Sequence, residues 1–309
     1  MDNPVLKVSH LVKDYGSFRA VNDISFSIPK GKIVGFLGPN GAGKTTTIQI
    51  LLGITSSTAG KIEYFGKDFA KHRSAILQRI NFTSAFNTLL GRITARENMI
   101  VYAKLYGIAD PTNKINELLN YFEIANIAHT RYQDLSTGQK TRINFAKSLL
   151  NDPEILLMDE PTASLDPDIA DKTLTLIESL KRDREISILY TSHNMNEITR
   201  ICDEVIILDR GNIVAHDSPI GLTKMIPTAQ VRIMFDSPKA DVETYLSKHE
   251  YYFEFEKKNM VLINTEEKHI PKVIFGLSKA EIWITNIDII KPSLEDVFLH
   301  IARKKHEVV

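Results

Sequence analysis

Ile33-Val34-Gly35-Phe36-Leu37-Gly38-Pro39-Asn40-Gly41-Ala42-Gly43-Lys44-Thr45-Thr46-Thr47-Ile48 is the stretch that decides the fold. Residues Gly38 to Thr45 fit the phosphate-loop pattern G-x-x-x-x-G-K-[ST] at every specified position. The apolar run Ile33–Leu37 reads as a buried strand, and Thr46–Leu52 reads as the start of a helix. Glycines let the backbone bend around phosphates and turn its N–H groups inward, and the helix N-terminus adds a partial positive charge. Lys44 is placed to reach the β- and γ-phosphates of a nucleotide, and the Thr45 hydroxyl to ligate Mg²⁺. Pro39, Asn40, Ala42 and Thr46 complete the cradle with Gly38, Gly41 and Gly43. A Gly-rich turn without a ligand is the bland alternative, and the strand before and helix after weigh against it.

Working outward, a second apolar strand, Ile155-Leu156-Leu157-Met158, ends in two adjacent acids, Asp159 and Glu160. Carboxylates at the C-terminal end of a parallel strand sit where α/β sheets place their ligands. Asp159 then serves as a Mg²⁺ ligand, and Glu160 as the group that orients or deprotonates an attacking water. A third segment, Leu135-Ser136-Thr137-Gly138-Gln139, stands directly before an apparent helix, Lys140–Leu150. Alone it is either an anion site at a helix N-terminus or an ordinary Ser N-cap.

Together these segments resemble the ATP-binding-cassette family of ATPases, over roughly residues 5 to 225. The family usually reads Leu-Ser-Gly-Gly-Gln at the third segment, and this chain has Thr137 in its middle. The resemblance implies that Ser136, Gly138 and Gln139 bind the γ-phosphate of a nucleotide held by a second subunit. It implies that His193, after Ile188–Ser192, is the switch histidine, that Tyr15 stacks on adenine, and that Ser164-Leu165-Asp166 is the dimer-contact loop. ATP and Mg²⁺ are the implied ligands. Asn113-Lys114-Ile115 is followed by Asn116, so no guanine-reading Asn-Lys-x-Asp is present. One departure stands out: Ala85 occupies the position where the family has a Mg²⁺-touching glutamine, leaving a water or Ser84 to supply that oxygen. The tail sequence Pro292-Ser293-Leu294-Glu295-Asp296-Val297-Phe298-Leu299 resembles ATPase subunits of ABC-2-type exporters, which move drugs, antibiotics, lipids or polysaccharides. Read without the family, it is an N-capped amphipathic helix.

Composition agrees with a globular ATPase. The 309 residues suit two domains, and Lys+Arg and Asp+Glu both count 38, so no broad nucleic-acid-binding surface is expected. A single cysteine, Cys202, excludes an intrachain disulfide and reads as a packing thiol. The nine histidines lack metal-ligand spacing. Met1-Asp2-Asn3-Pro4 does not begin a signal peptide, and no apolar run nears the roughly 18 residues of a spanning helix.

The expected fold class is α/β: a P-loop cassette with a β-rich start, a RecA-like parallel-sheet core and a helical insert at about 95–130, followed by a small α+β domain. Strands are expected at Leu6–Val8, Ser25–Ile28, Lys32–Leu37 and Ile62–Phe65, then helices Asn98–Tyr106 and Ile115–Phe122. Helix Ile169–Lys181, strand Ser187–Thr191, helix Asn196–Ile201 and strand Val205–Leu208 follow. A break at Pro219 to Pro227 puts the domain boundary at 225/226. Beyond it, Val231–Phe235, Ala240–Lys248, Tyr252–Glu256, Met260–Asn264, Ile270–Lys279 and Glu281–Ile287 give a β-α-β-β-α-β, ferredoxin-like order, before a last helix to Ala302.

The resemblance thus implies an ATPase subunit on the cytoplasmic face of a cell membrane, working through a separate transmembrane permease and pairing with a second cassette on ATP binding. A soluble cassette ATPase on ribosomes or DNA is disfavoured by the single cassette and neutral charge. An ATP-gated regulator with little turnover is the remaining alternative.

Overall fold

In a computed structural model, the described residues are 4–304 apart from Phe86, Asn87, Ser164 and Pro227. They form two compact units, 1–219 and 220–309. The division falls at the start of the Pro219–Pro227 break; Pro227 itself lies outside the described residues.

The first unit opens with β1 (Leu6–Tyr15) and β2 (Phe18–Ile28), then β3 (Ile33–Leu37), α1 (Lys44–Leu51), β4 (Ala59–Tyr64), β5 (Lys67–Asp68), α2 (Phe69–Leu77) and β6 (Ile80–Ser84). The helical insert carries α3 (Ala95–Leu105) and α4 (Pro111–Tyr121), and α5 (Thr137–Ser148) leads back to the sheet. Alternation then runs through β7 (Ile155–Asp159), α6 (Pro167–Arg184), β8 (Ser187–Thr191), α7 (Met195–Ile201), β9 (Glu204–Asp209) and β10 (Asn212–Asp217), and α8 (Pro219–Thr223) starts at the last residue of this unit and continues into the second.

Two sheets result. The outer one is ordered β2-β1-β4-β5 and is antiparallel throughout. The inner one is ordered β10-β9-β3-β8-β7-β6, with only β10 antiparallel to its neighbour. All five residues of β3 and of β8 are buried, as a sheet covered on both faces requires. One apolar cluster joins the sheets, with Leu6, Leu11 and Phe26 meeting Phe36, Ile48, Leu157 and Leu189. The Phe26 and Phe36 rings lie 5.4 Å apart. The parallel register aligns Ser84 with Asp159, Asp159 with Thr191, and Thr191 with Phe36. Four strand ends therefore open onto one edge, and that edge is where the phosphate loop departs.

Element bounds differ from expectation for local reasons. β1 and β2 run far beyond Leu6–Val8 and Ser25–Ile28, because register shifts between Val8 and Asp14 interrupt the apolar alternation. β10 has no buried residue, so it carries no hydrophobic pattern. α2 buries only Phe69 and Ile76 and is kinked at His72, which hides its period. α3 and α5 start before the expected Asn98 and Lys140. Capping boxes, Thr94 with Glu97 and Ser136 with Gln139, set their first turns. Cys202 is buried, with its thiol pushed up by desolvation, and its Sγ is 3.0 Å from where a Cβ on Gly35 would sit.

The second unit contains β11 (Thr228–Phe235), α9 (Lys239–Lys248), β12 (Tyr252–Lys257), β13 (Met260–Glu266), α10 (Ile270–Lys279), β14 (Ile284–Ile290) and α11 (Leu294–Lys304). Its strands are ordered β12-β13-β11-β14, all neighbours antiparallel, in a split β-α-β arrangement. Alternate residues of β11, namely Ala229, Val231, Ile233 and Phe235, point into the core. Val242 and Leu246 of α9 and Ile270, Val273 and Leu277 of α10 share that core, on helical spacing. β14 begins at Ile284 rather than Glu281 because Glu281 belongs to the turn that closes α10, with φ 59 and its N–H donating to Ser278 O at 3.1 Å.

Candidate active site

The phosphate loop is a tight passage between β3 and α1. A Cβ on Gly38 would lie 2.5 Å from the Leu208 carbonyl oxygen, so no side chain fits there. Gly43 has φ 101, and its Cβ would lie 2.5 Å from the Ala20 carbonyl oxygen. Ala42 N donates to Pro39 O at 3.1 Å, and Gly211 N to Ala42 O at 3.1 Å, bracing the turn against the β9–β10 hairpin. Pro39, Asn40, Gly41 and Thr45 are exposed, and Thr46 is half-buried. α1 starts from Gly43 with no side-chain cap and no acid in its first turn. Its leading N–H groups face the loop as donors suited to an anion.

Lys44 is buried, and its Nζ donates to Gly38 O at 2.5 Å and Pro39 O at 3.2 Å. Burial lowers its pKa, while the nearby Glu160 and Asp159 carboxylates oppose that fall. The ammonium is thus held inside the loop beside two acids.

Thr45 Oγ1 lies 3.5 Å from Asp159 Oδ2. Two oxygens of this kind, converging from helix and strand end, suit a hard cation such as Mg²⁺. The other Asp159 oxygen accepts from Thr191 Oγ1 at 2.7 Å. Thr191 also accepts the Glu160 N–H, at 3.0 Å on its hydroxyl and 3.2 Å on its carbonyl. Glu160 sits at φ 50, a left-handed conformation that costs a non-glycine residue about 1 kcal/mol or more. Thr191 pins that conformation, and sequence reading missed its role, because the hydroxyls of Ser187 and Tyr190 on the same strand leave Thr191 without a distinguishing local signal. Glu160 Oε1 and His193 Nε2 are 2.5 Å apart, with Glu160 mostly shielded and His193 half-exposed.

The structure therefore brings Lys44, Thr45, Asp159, Glu160 and His193 together. Ser136, Gly138 and Gln139 stand elsewhere. Ser136 Oγ accepts from Gln139 N at 3.4 Å, and Ser136 N donates to Gln139 Oε1 at 2.9 Å. A Cβ on Gly138 would lie 3.5 Å from Ile169 at the start of α6. Tyr15 ends β1, half-exposed, with Lys13 Nζ 4.8 Å above its ring and Phe18 opposite it on β2. Ala85 follows Ser84 and is half-buried. It lines a cavity of about 360 Å³ with Tyr132, Thr137, Lys140 and Asn144. Leu165 N donates to Thr162 O at 3.1 Å, and Asp166 precedes α6. Ser164, from the expected dimer-contact loop, lies outside the described residues.

Comparison with known proteins gives a consistent answer. The family model described as ABC transporter matches residues 21–163. The bacitracin transport ATP-binding protein of Bacillus licheniformis is 39% identical over 210 residues, 68% of each chain. Nod factor export ATP-binding protein I of Rhizobium johnstonii is 30% identical over 318 residues, covering 99% of this chain and 100% of that one. Among solved structures, cbiO1 of Clostridium perfringens, part of an ABC transporter complex, superposes with a TM-score of 0.65 over 72% of this chain and 92% of its own. At 24% identity that likeness speaks for the fold alone. The chain belongs to the ABC transporter family and is an ATP-binding ATPase subunit of the exporter type.

Proposed function

We propose that this chain hydrolyses ATP at the Lys44–Thr45–Asp159–Glu160–His193 edge and drives export through a separate membrane permease. The convergence of those five side chains on one end of a parallel sheet is the observation that carries the reading. Lys44 and the leading N–H groups of α1 hold the β- and γ-phosphates. Tyr15 takes the adenine. Thr45 and Asp159 hold Mg²⁺, whose charge offsets that of the phosphate oxygens. Glu160 orients the attacking water and accepts its proton, and His193, beside it, contacts the γ-phosphate.

Ser136 and Gln139 cap the start of α5, and with Gly138 they would bind the γ-phosphate of a nucleotide held by a second cassette, as the resemblance to the family implies. Two copies, or this chain and a paired cassette, close on two ATP molecules and reopen after hydrolysis. The chain works at the cytoplasmic face of the membrane through its partner, a reading supported by its relatives being ATP-binding proteins of transport and export systems; among the described residues no helix is long and apolar enough to cross a membrane. The cavity beside Ala85 and the helical insert form the contact surface for the permease. Residues 1–225 act as the ATP-binding domain, and 226–309 as an accessory domain.

The test is Glu160→Gln. The amide keeps the shape of the acid and removes the base, so ATP binding persists while hydrolysis falls on the order of 10²- to 10⁴-fold. With ATP and Mg²⁺, sedimentation should show a doubled mass. Normal turnover in this variant removes Glu160 from its role. A nucleotide-gated regulator with little turnover is the second reading, motivated by Ala85; a rate near zero in the unaltered protein with its membrane partner would favour it.

A further inference from the structure

The buried carboxylate of Glu197 has no part in the mechanism above. It stands on α7 at 6% exposure. Its Oε2 accepts three hydroxyl hydrogen bonds: from Thr162 Oγ1 at 2.8 Å, Tyr190 OH at 2.8 Å and Ser192 Oγ at 2.7 Å. All three donors are themselves buried. An oxygen taking three donors is a carboxylate acceptor, and no salt bridge among the described residues supplies it with a cation. Burying such a group is costly, and charge-assisted hydrogen bonds offset that cost.

The identity of the donors gives the arrangement its meaning. Thr162 lies two residues after Glu160, in a turn where Ala163 N donates to Glu160 O at 3.0 Å and Leu165 N to Thr162 O at 3.1 Å. Ser192 immediately precedes His193, and its hydroxyl oxygen accepts from Asn194 N at 3.0 Å. Tyr190 lies on β8 in register with Met158 of β7, one residue before Asp159. α7 itself is seated on β3: a Cβ on Gly35 would lie 3.3 Å from Ile198. One carboxylate oxygen thus joins the loop after β7, the loop after β8 and a helix anchored on the central strand. Those two loops carry the Glu160–His193 pair, 2.5 Å apart.

We infer that Glu197 is a positioning residue for ATP hydrolysis: by gathering the hydroxyls of Thr162, Tyr190 and Ser192 on one oxygen, it holds the Glu160 and His193 loops at their working separation. This rests on the roles given to Glu160 and His193 above. Thr191 fixes the same two loops through the Asp159 carboxylate and the Glu160 backbone, so Glu197 supplies the second of two clamps. A pair positioned by two clamps loses rate when one is removed, without losing the phosphate loop that binds ATP.

The experiment uses the full chain with Glu197→Ala, Glu197→Gln, Thr162→Val and Ser192→Ala, with Glu160→Gln and His193→Ala as controls. Readouts are kcat, KM, binding of a fluorescent ATP analogue with its stoichiometry, and the thermal midpoint. Glu197→Ala should lower kcat per binding-competent site on the order of 10²-fold, the scale of a small misplacement of reacting groups. Analogue affinity should stay within about twofold, since the phosphate loop is untouched. Glu197→Gln retains an acceptor oxygen and should recover part of the rate. Thr162→Val and Ser192→Ala should each give a smaller fall of the same kind, and they keep the test readable should Glu197→Ala fail to fold. The inference is overturned if kcat per competent site is unchanged in these variants while both controls are inactive, or if affinity falls by the same factor as the rate. Normal turnover in Glu160→Gln and His193→Ala would instead sink the reading on which it rests.

Discussion

The two units solve the problem of burial differently. Every buried polar or charged residue among those described, from Lys44 and Thr47 to Thr191, Ser192 and Glu197, lies in the first unit. The core of the second is drawn from Ala, Val, Ile, Leu and Phe alone. Buried polar groups cost free energy unless fully paired, so a core that keeps them has a reason beyond packing. In the first unit Lys44, Thr47, Thr162, Thr191, Ser192 and Glu197 gather around the phosphate loop and the strand ends beside it, while Asn81, Asn98, Asn144, Ser148, Thr173 and Ser187 pair within helices and at the opposite strand ends. The core of the second unit holds none, and the five side chains that converge at the candidate site all belong to the first. The sharpest way to break that contrast is to show that the first unit's buried cation is not used.

Lys44→Ala is therefore the broadest effect expected, because it strikes nucleotide binding and turnover together. It removes the ammonium now hydrogen-bonded to Gly38 O and Pro39 O and facing Asp159 and Glu160. A charge clamp on transferring phosphate is worth on the order of 10²- to 10³-fold in rate, so turnover should become undetectable in an ordinary assay and analogue binding should weaken. Unchanged affinity together with unchanged rate would mean that the loop is not the nucleotide site.

Cutting the chain after Met225 sharpens the contrast from the other side. The shared core of β11, α9, β13 and α10 begins at Ala229, and the cluster joining the first unit's sheets ends at Leu208. The cut leaves one core whole and removes the other entirely. The truncated chain should be soluble and bind ATP within about twofold of the full chain, yet fail to support export in cells. Insoluble or nucleotide-blind protein would show that the two units fold as one. Full export would show that the second unit is dispensable.

How much of this was legible in the sequence follows from the same contrast. The phosphate loop and the Asp159–Glu160 strand end could be read because short-range spacing encodes them. A turn that excludes side chains at Gly38 and Gly43 must be written in consecutive residues. The succession of strands and helices along the second unit was legible for a related reason, since alternate burial, as in β11, is a local period. Thr191 and Glu197 were not legible. Their partners lie on other strands and loops, and a threonine at a strand end or a glutamate in a first helical turn has ordinary local explanations. The length of β1 was hidden by its bulges, where the backbone keeps pairing while the side-chain period slips.

The smallest effect concerns Ala85. The sequence reading aligns Ala85 with a metal-touching glutamine of the family, and on that reading this chain offers a methyl group beside Ser84 instead. Ser84 is the register partner of Asp159, the proposed metal-binding carboxylate, on the neighbouring strand. Ala85 is half-buried against a cavity of about 360 Å³, whose lining includes Thr137, Lys140, Asn144 and Pro161. That volume accepts the longer glutamine side chain without displacing backbone, so Ala85→Gln should change stability by no more than about 0.5 kcal/mol. Exchanging a bridging water for a direct oxygen is worth about 0–2 kcal/mol, so half-saturating Mg²⁺ should fall by no more than about thirtyfold, with ATPase activity equal or higher. Hydrolysis measured across a Mg²⁺ titration is the readout. A variant that folds but loses activity would mean that Ala85 is not the vacated metal-contact position, and that Ser84 and the cavity behind it serve only as packing.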